Sequence, residues 1–473
     1  MRTISWATAI LAVGLGAAVL PGQEAPPSDR AFARNLLQEL VEINSTPAFG
    51  STVAAKAMAA RFRSAGFPES DIVLAGPTPE KQNLVVRLRG KGLAKPILLI
   101  AHLDVVDAPR EGWSPGLDPF RLAERDGFFY GRGVLDMKHG VAALVATLTR
   151  LRAEGFVPSR DIIVALTADE EGGNANGVYW LLANHRDWID AAYCLNLDTG
   201  GGQIEKGRRV RMTVQTSEKT NVSFQVQTKN EGGHSSLPVK ENAIYQLAKG
   251  LARLSERDFP FRFNETTRLY FERMGAIETG QAAADMKAVA QDPPDLDAAR
   301  RLAATSAYFN AILRTTCVAT RIEGGHASNA LPQSATAVIN CRIFPGDTVE
   351  FVRSSLTEML ADPGIAIRTM AAGRPAPASP LMPEVMSAVE KLTQEMWPGM
   401  PVFPVMDPWA SDSLSVRRAG LAAFGVNGAF GELDVGNAHG ANERLPVDAY
   451  YDGVEFFYRL MKTLTGNDIA QQR

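Results

Sequence analysis

The chain is 473 residues long and 45% hydrophobic; since single cores stop growing near roughly 250 to 300 residues, two domains with separate cores are expected. Its 49 basic and 52 acidic residues nearly cancel, and no long run of Lys and Arg occurs. That balance excludes a nucleic-acid footprint and a polybasic membrane patch, and it points to a small or peptidic substrate.

At the N-terminus, MRT precedes an apolar run from Ile4 to Leu20, followed by Pro21, Gly22 and a polar stretch through Pro27. A short positive start, an apolar middle and a small-residue exit read as a secretory signal peptide over 1–22. The mature protein is then periplasmic or secreted, with no membrane span after cleavage. The run sits at the lower edge of what crosses a bilayer, so an uncleaved N-terminal anchor is the second reading. Cys194, Cys317 and Cys341 are an odd, sparse set that defines no disulfide framework, and stability without cross-links is expected.

Residues 28–219 alternate helical and strand signals, as in an α/β domain with a mostly parallel sheet covered by helices. Leu36, Leu37, Leu40 and Val41 share one helical face, and the Ala-rich stretch 52–65 stops at Gly66. Strands are predicted at 83–88 and 96–101. A helix is predicted at 140–154, where Val141, Leu144, Val145, Leu148 and Leu151 keep the 3.6-residue period; strands at 162–167 and 192–197 follow. The pattern changes over 220–370. Val222, Phe224 and Val226 alternate, alternation returns at 336–342, and a helix at 348–360 and a strand at 365–370 follow; 274–309 is charged and Ala-rich, and reads as helix and loop. This segment is expected to be an inserted α+β domain, an antiparallel sheet with helices on one face. Residues 371–473 return to the first domain and end in a helix that carries Tyr450, Val454, Phe457, Met461 and Leu464 on one face.

The chemistry-bearing residues follow the predicted strands, where open α/β sheets place ligands. In AHLDVVD, Asp104 lies two residues after His102; such a carboxylate can orient a metal-bound imidazole, although a loop histidine beside a solvated aspartate is the plainer reading. GRGVLDMKHG sets Asp136 in a glycine-rich turn opening a helix, without the strand–GxGxxG–helix order of a nucleotide loop. A carboxylate there can bridge two ions, with a helix cap as the alternative. His139 reads as a supporting or surface histidine. TADEEGG delivers Asp169, Glu170 and Glu171 directly after a strand, where three adjacent acids repel one another unless cations or protonation relieve them. One can ligate while its neighbour is general base to a water whose pKa an ion lowers to about 7; an acidic helix N-terminus is the competing reading. LNLDTGGG places Asp198 after a further strand, and NAHGANERLP places His439 and Glu443 before the last helix. His102, Asp136, Glu171, Asp198 and His439 form a mixed imidazole and carboxylate set without thiolate, suited to Zn²⁺, Co²⁺ or Mn²⁺ in a catalytic site.

The order HxD, GRGxxDxK, DEExG, an Asp ahead of a glycine run and a late His resembles the M20 family of metallopeptidases, over about 30–466. The resemblance implies a dinuclear hydrolase, with two ions per chain, zinc by preference, that cleaves a peptide or N-acyl amino-acid amide next to a free carboxylate. His102 and Asp198 would hold one ion, Glu171 and His439 the other, and Asp136 would bridge. Glu170 would be the general base toward a metal-bridging hydroxide, and Asp104 the partner of His102. In NEGGHSSLP, the resemblance implies that His234 reaches into a neighbouring subunit's site to stabilise the oxyanion. A homodimer through the inserted domain follows. GGHASNALP and NCRIFPGD match segments that hold the substrate carboxylate, which nominates Asn329 and Arg342; a guanidinium fork suits that group.

Three positions in two segments depart from the family pattern: Thr199 replaces an acid before the glycines, leaving Asp198 as the carboxylate there, and Trp409 and Ala410 replace small and hydroxyl-bearing residues ahead of Ser411 and Asp412. A di-zinc aminopeptidase and a catalytically silent metal-dependent peptide-binding protein are the competing readings. The first needs an anchor for a free α-amine, and the second needs loss of the base, whereas Glu170 is present. Exopeptidase, dipeptidase and aminoacylase activities stay open.

Overall fold

The computed structural model describes residues 29–372, 375–432 and 435–466; the signal-peptide reading of 1–22 lies outside them. The central sheet is mixed and mostly parallel. Its order is Ile72–Ala75, Asn83–Leu88, Ile162–Thr167, Ile97–His102, Tyr193–Asn196, Ala423–Gly425, Arg208–Glu218, Gly201–Glu205 and Phe430–Gly431, with Val402–Asp407 also pairing Arg208–Glu218. Ile97–His102 lies parallel to both Ile162–Thr167 and Tyr193–Asn196. All three strands are buried along their whole length, as parallel strands with both faces covered must be.

The period of two sorts these strands' side chains. Ile97, Leu99, Val164 and Leu195 pack beneath the helices Asp29–Glu42, Thr52–Ser64, Lys138–Ala153, Pro383–Met396 and Val447–Thr465. Leu98, Ile100, Ile163 and Cys194 face the other way, with Val178 and Leu181 of Gly177–Asn184 and Val416 of Ser413–Arg418. The sheet's carboxyl edge, where His102, Thr167 and Asn196 end their strands, is thereby held from both sides.

Beyond Glu218 the chain leaves this sheet through the buried Lys219 and enters a four-stranded antiparallel sheet. Its order is Thr316–Gly324, Ser334–Ile343, Thr220–Lys229 and Ala366–Ala372. Val222, Phe224 and Val226 pack under the helices Ala243–Ser255 and Val349–Leu360, a core separate from that of the large sheet. The stretch 274–309, expected as helix and loop, is spanned by four helices, of which the first begins earlier and the last ends later: Glu265–Ile277, Gly280–Ala290, Leu296–Thr305 and Ala307–Leu313. Their apolar faces, with Phe271, Met274, Val289 and Leu302, close on Phe403, Val405 and Met406 of the central sheet. Although they depart from and return to the insertion, these helices tie it to the first domain.

Cys317 and Cys341 stand opposite each other in the register of Thr316–Gly324 and Ser334–Ile343 and form a disulfide. This corrects the expectation of a chain without cross-links. The odd cysteine is Cys194, buried under the helix Ser413–Arg418, and only the strand register shows which two of the three meet. Among the described residues no helix is long and apolar enough to cross a membrane.

Candidate metal centre

Three loops at the carboxyl edge and two glycine-rich turns bring the candidate ligands together. His102 closes its strand, and its Nδ1 lies 3.0 Å from the main-chain carbonyl of Asp104. A carbonyl only accepts, so Nδ1 carries a hydrogen and Nε2 is the nitrogen that faces the centre. There it meets Asp136 Oδ1 at 3.1 Å and Asp198 Oδ1 at 3.5 Å. On the other side, His439 Nε2 lies 3.0 Å from Asp136 Oδ2 and 2.7 Å from Glu171 Oε1. Asp136 therefore turns one carboxylate oxygen toward each imidazole. His102, Asp136 and Asp198 form one group, and Asp136, Glu171 and His439 another, with the ligand atoms of each within 4.8 Å of one another. This donor chemistry fits two divalent ions sharing Asp136.

The acidic triplet splits by function. Asp169 adopts a left-handed backbone with φ 57°, and its carboxylate accepts from Lys81 Nζ at 2.5 Å and Ala175 N at 2.7 Å, away from the ligands. Glu170 and Glu171 face inward. Their backbone N–H groups donate to Asp104 Oδ1 at 3.0 Å and Oδ2 at 2.9 Å. Asp104 thus orients His102 through its carbonyl, its carboxylate fixing the turn that carries Glu170 and Glu171. Gly133 allows the glycine-rich turn: its φ is +86°, and a Cβ would fall 2.8 Å from both Val105 Cγ1 and Lys138 Cδ.

The charges are strongly coupled. Burial works against a charged His102, yet Asp136 and Asp198 hold it well above the ordinary imidazole range. Asp136 is held well below the usual carboxylate range by both histidines despite its burial. Hydrogen bonds from Asp136 and Glu171 push His439 up to about 10. Burial, with Asp412, Asp198 and Glu171 nearby, pushes Glu170 up well above the ordinary value, against the pull of His102. The metal-free centre thus keeps protons on both imidazoles at neutral pH, and metal must displace them. Loading metal-free protein with Zn²⁺ at pH 7 is expected to release protons from His102 and His439, and affinity should rise with pH. Calorimetry in buffers of different ionisation enthalpy measures this; heats independent of the buffer would contradict the arrangement.

The other nominated residues lie in or beside the insertion. His234 pairs with Ala330 in a short two-stranded ribbon, and Ser235 N donates to the carbonyl of Asn329 at 3.1 Å, so His234 and Asn329 share one exposed tip. Arg342 is half-buried on its strand opposite Asn221 and Thr316. Among the described residues of one chain, no hydrogen bond or ion pair joins these three to the metal centre. His139 is buried, and burial lowers its imidazole to about 4, so it is not a surface histidine. Three residues of this neighbourhood carry no assigned role in the sequence alone. Glu443 and Arg132 form a buried pair at 2.6 Å beside the ligands, and Lys138, fully buried, donates to the carbonyl of Ile43 at 2.8 Å. An acid four residues after His439 was the available signal for Glu443.

A mostly parallel sheet with a histidine–carboxylate cluster at its carboxyl edge, interrupted by an antiparallel domain, defines a metallopeptidase or amidohydrolase. The chain belongs to the peptidase family M20/M25/M40, whose profile matches residues 98–463. It is 30% identical over 379 residues to the human N-fatty-acyl-amino acid synthase/hydrolase PM20D1, covering 78% of this chain and 74% of that protein. Among solved structures it is similar to the M20 family metallo-carboxypeptidase Sso-CP2 from Sulfolobus solfataricus, with a TM-score of 0.70 and 19% identity over 91% of this chain and 99% of the other. It is also similar to a dinuclear metal binding peptidase of the M20 family from Bacillus subtilis, with a TM-score of 0.59 and 12% identity over 92% of this chain and 97% of the other.

Proposed function

We propose that this enzyme hydrolyses the amide bond of an N-acyl amino acid or small peptide next to a free carboxylate, using two divalent ions, zinc by preference. The observation that carries the reading is Asp136, with one carboxylate oxygen toward His102 and the other toward His439. His102 and Asp198 would hold one ion, Glu171 and His439 the other. When bound, the ions polarise the substrate carbonyl and lower the pKa of water. Glu170, whose carboxylate has no hydrogen-bond partner among the described residues, would take a proton from the attacking water and deliver it to the leaving amine. The relatives named for N-fatty-acyl amino acids favour acyl amino acids as the first substrates to test.

In this reading residues 28–219 and 371–473 form the catalytic domain, and 220–370 form a lid through which two chains pair. Leu237, Tyr245, Val318 and Ile322 stand exposed on the insertion, the kind of apolar surface that marks association. Ser236 N donates to His234 Nδ1 at 3.2 Å, so a neutral His234 carries its hydrogen on Nε2 and can donate it to an oxyanion in the partner's site. The cross-strand disulfide suits an oxidising compartment and supports export. Arg342, with no charged partner among the described residues, binds the substrate carboxylate together with Asn329.

Arg342→Met is expected to raise KM about 10- to 100-fold, the loss of one charge-assisted hydrogen-bond set. A panel of N-acyl amino acids and dipeptides with free or blocked C-termini tests this. Equal rates for free and blocked substrates would remove the carboxylate role.

A further inference from the structure

We infer that Glu443, acting through Arg132, is a positioning residue that fixes Asp136 and His439 relative to each other; this rests on the two-ion reading above. The Glu443 side chain is fully buried. Its Oε1 accepts the backbone N–H groups of Leu135 at 2.9 Å and Asp136 at 3.0 Å. Its Oε2 accepts Gly133 N at 3.0 Å and Arg132 Nη1 at 2.6 Å. Arg132 Nη2 in turn donates to the carbonyls of His439 at 3.2 Å and Gly440 at 3.0 Å. One carboxylate thus receives four donors, and the guanidinium it holds grips the backbone of the histidine four residues upstream.

The arrangement has a directional consequence. The turn that presents Asp136 and the loop that presents His439 lie about three hundred residues apart in sequence, and His439 itself stands half-exposed with a left-handed backbone at φ 64°. Arg132 ties the backbone of that loop to the same carboxylate that holds the Asp136 turn, so the place of the imidazole relative to Asp136 depends on the buried pair as well as on its own bonds to Asp136 and Glu171. The ion held by Glu171 and His439 relies on two gripped ligands, Asp136 and His439, whereas the ion held by His102 and Asp198 relies on Asp136 alone. Loss of the clamp therefore weakens the first of these sites more than the second. Groups that orient metal ligands commonly set affinity by about 10- to 100-fold.

The test is titration of the full chain, stripped of metal by chelation, with Co²⁺, followed by visible absorption and calorimetry. In Glu443→Gln, a carboxamide presents an N–H where only acceptors fit. One of the two Co²⁺ ions is expected to lose about 10- to 100-fold in affinity, while the other changes much less. Should that variant fail to melt cooperatively, Arg132→Lys replaces it; it keeps a charge beside Glu443 but cannot bridge to both carbonyls. Two Co²⁺ affinities like those of the wild type in a folded variant, or equal weakening of both, would overturn the inference. A wild-type protein that takes up a single Co²⁺ would instead overturn the two-ion reading.

Discussion

Glu170→Gln is expected to lower kcat by about 10²- to 10⁴-fold, the usual worth of a positioned general base, while metal content stays at the wild-type level. The substitution preserves shape and removes the proton acceptor. It leaves the local scaffold intact, because Asp104 holds this turn through the backbone N–H groups of residues 170 and 171 rather than through their side chains. Glu171 keeps its position for the same reason, and the bonds that place His102, Asp136, Asp198 and His439 run through Asp104, Glu443, Asn196 and Arg132 rather than through Glu170. Burial already raises the Glu170 carboxyl well above its ordinary range, which brings a carboxylate base closer to the pH at which it must work. Turnover and metal analysis on the same preparation measure the effect. Full activity with bound metal would remove Glu170 from the mechanism, and loss of metal would make it a ligand.

Breaking the buried pair under the centre is expected to cost most in stability. Arg417 and Glu218 meet at 2.8 Å with 1% and 0% of their side chains exposed. Arg417 also donates to Gln215 Oε1 and to the carbonyl of Ala423, each at 2.8 Å. Glu218 Oε2 accepts Ser411 N at 2.8 Å and Ser411 Oγ at 3.0 Å. Asn196 reaches Ser411 and Ser413 through Nδ2, and its Oδ1 accepts Asp198 N at 3.0 Å. The pair thus supports a metal ligand as well as the passage from the catalytic sheet into the insertion. Arg417→Met leaves a buried carboxylate without its counter-charge, at a cost of about 3 to 5 kcal/mol. Glu218→Gln combined with Arg417→Met should recover part of that loss, because the Glu218 charge is gone, whereas the buried Asp407 still lacks the guanidinium that faced it. Urea denaturation of the single and double variants measures both, and a single variant as stable as wild type would contradict the role given to the pair.

The sequence was informative where chemistry is local. Strands at 83–88 and 162–167 appear where their apolar runs predicted them; His102 closes its strand, and Asp198 and the Glu170–Glu171 pair follow strand ends, because side chains there leave the sheet at its carboxyl edge. Residues remote from one another were not legible. Glu443 reads as an ordinary acid before a helix until the fold carries it to the turn at 131–136. Asp104 was read as a partner of His102, and its bonds to the turn at 170–171 depend on two strands lying side by side. The Cys317–Cys341 bond depends on an antiparallel register that a count of cysteines cannot supply. The helices of 265–313 carry apolar faces whose partner, Val402–Asp407, comes much later in the chain.

Anomalous diffraction from crystals of the Zn²⁺-loaded protein tests the central claim most directly. Two peaks are expected on opposite sides of the Asp136 carboxylate, one beside His102 and Asp198 and the other beside Glu171 and His439. A single peak, or a pair of peaks that does not share Asp136, would contradict it.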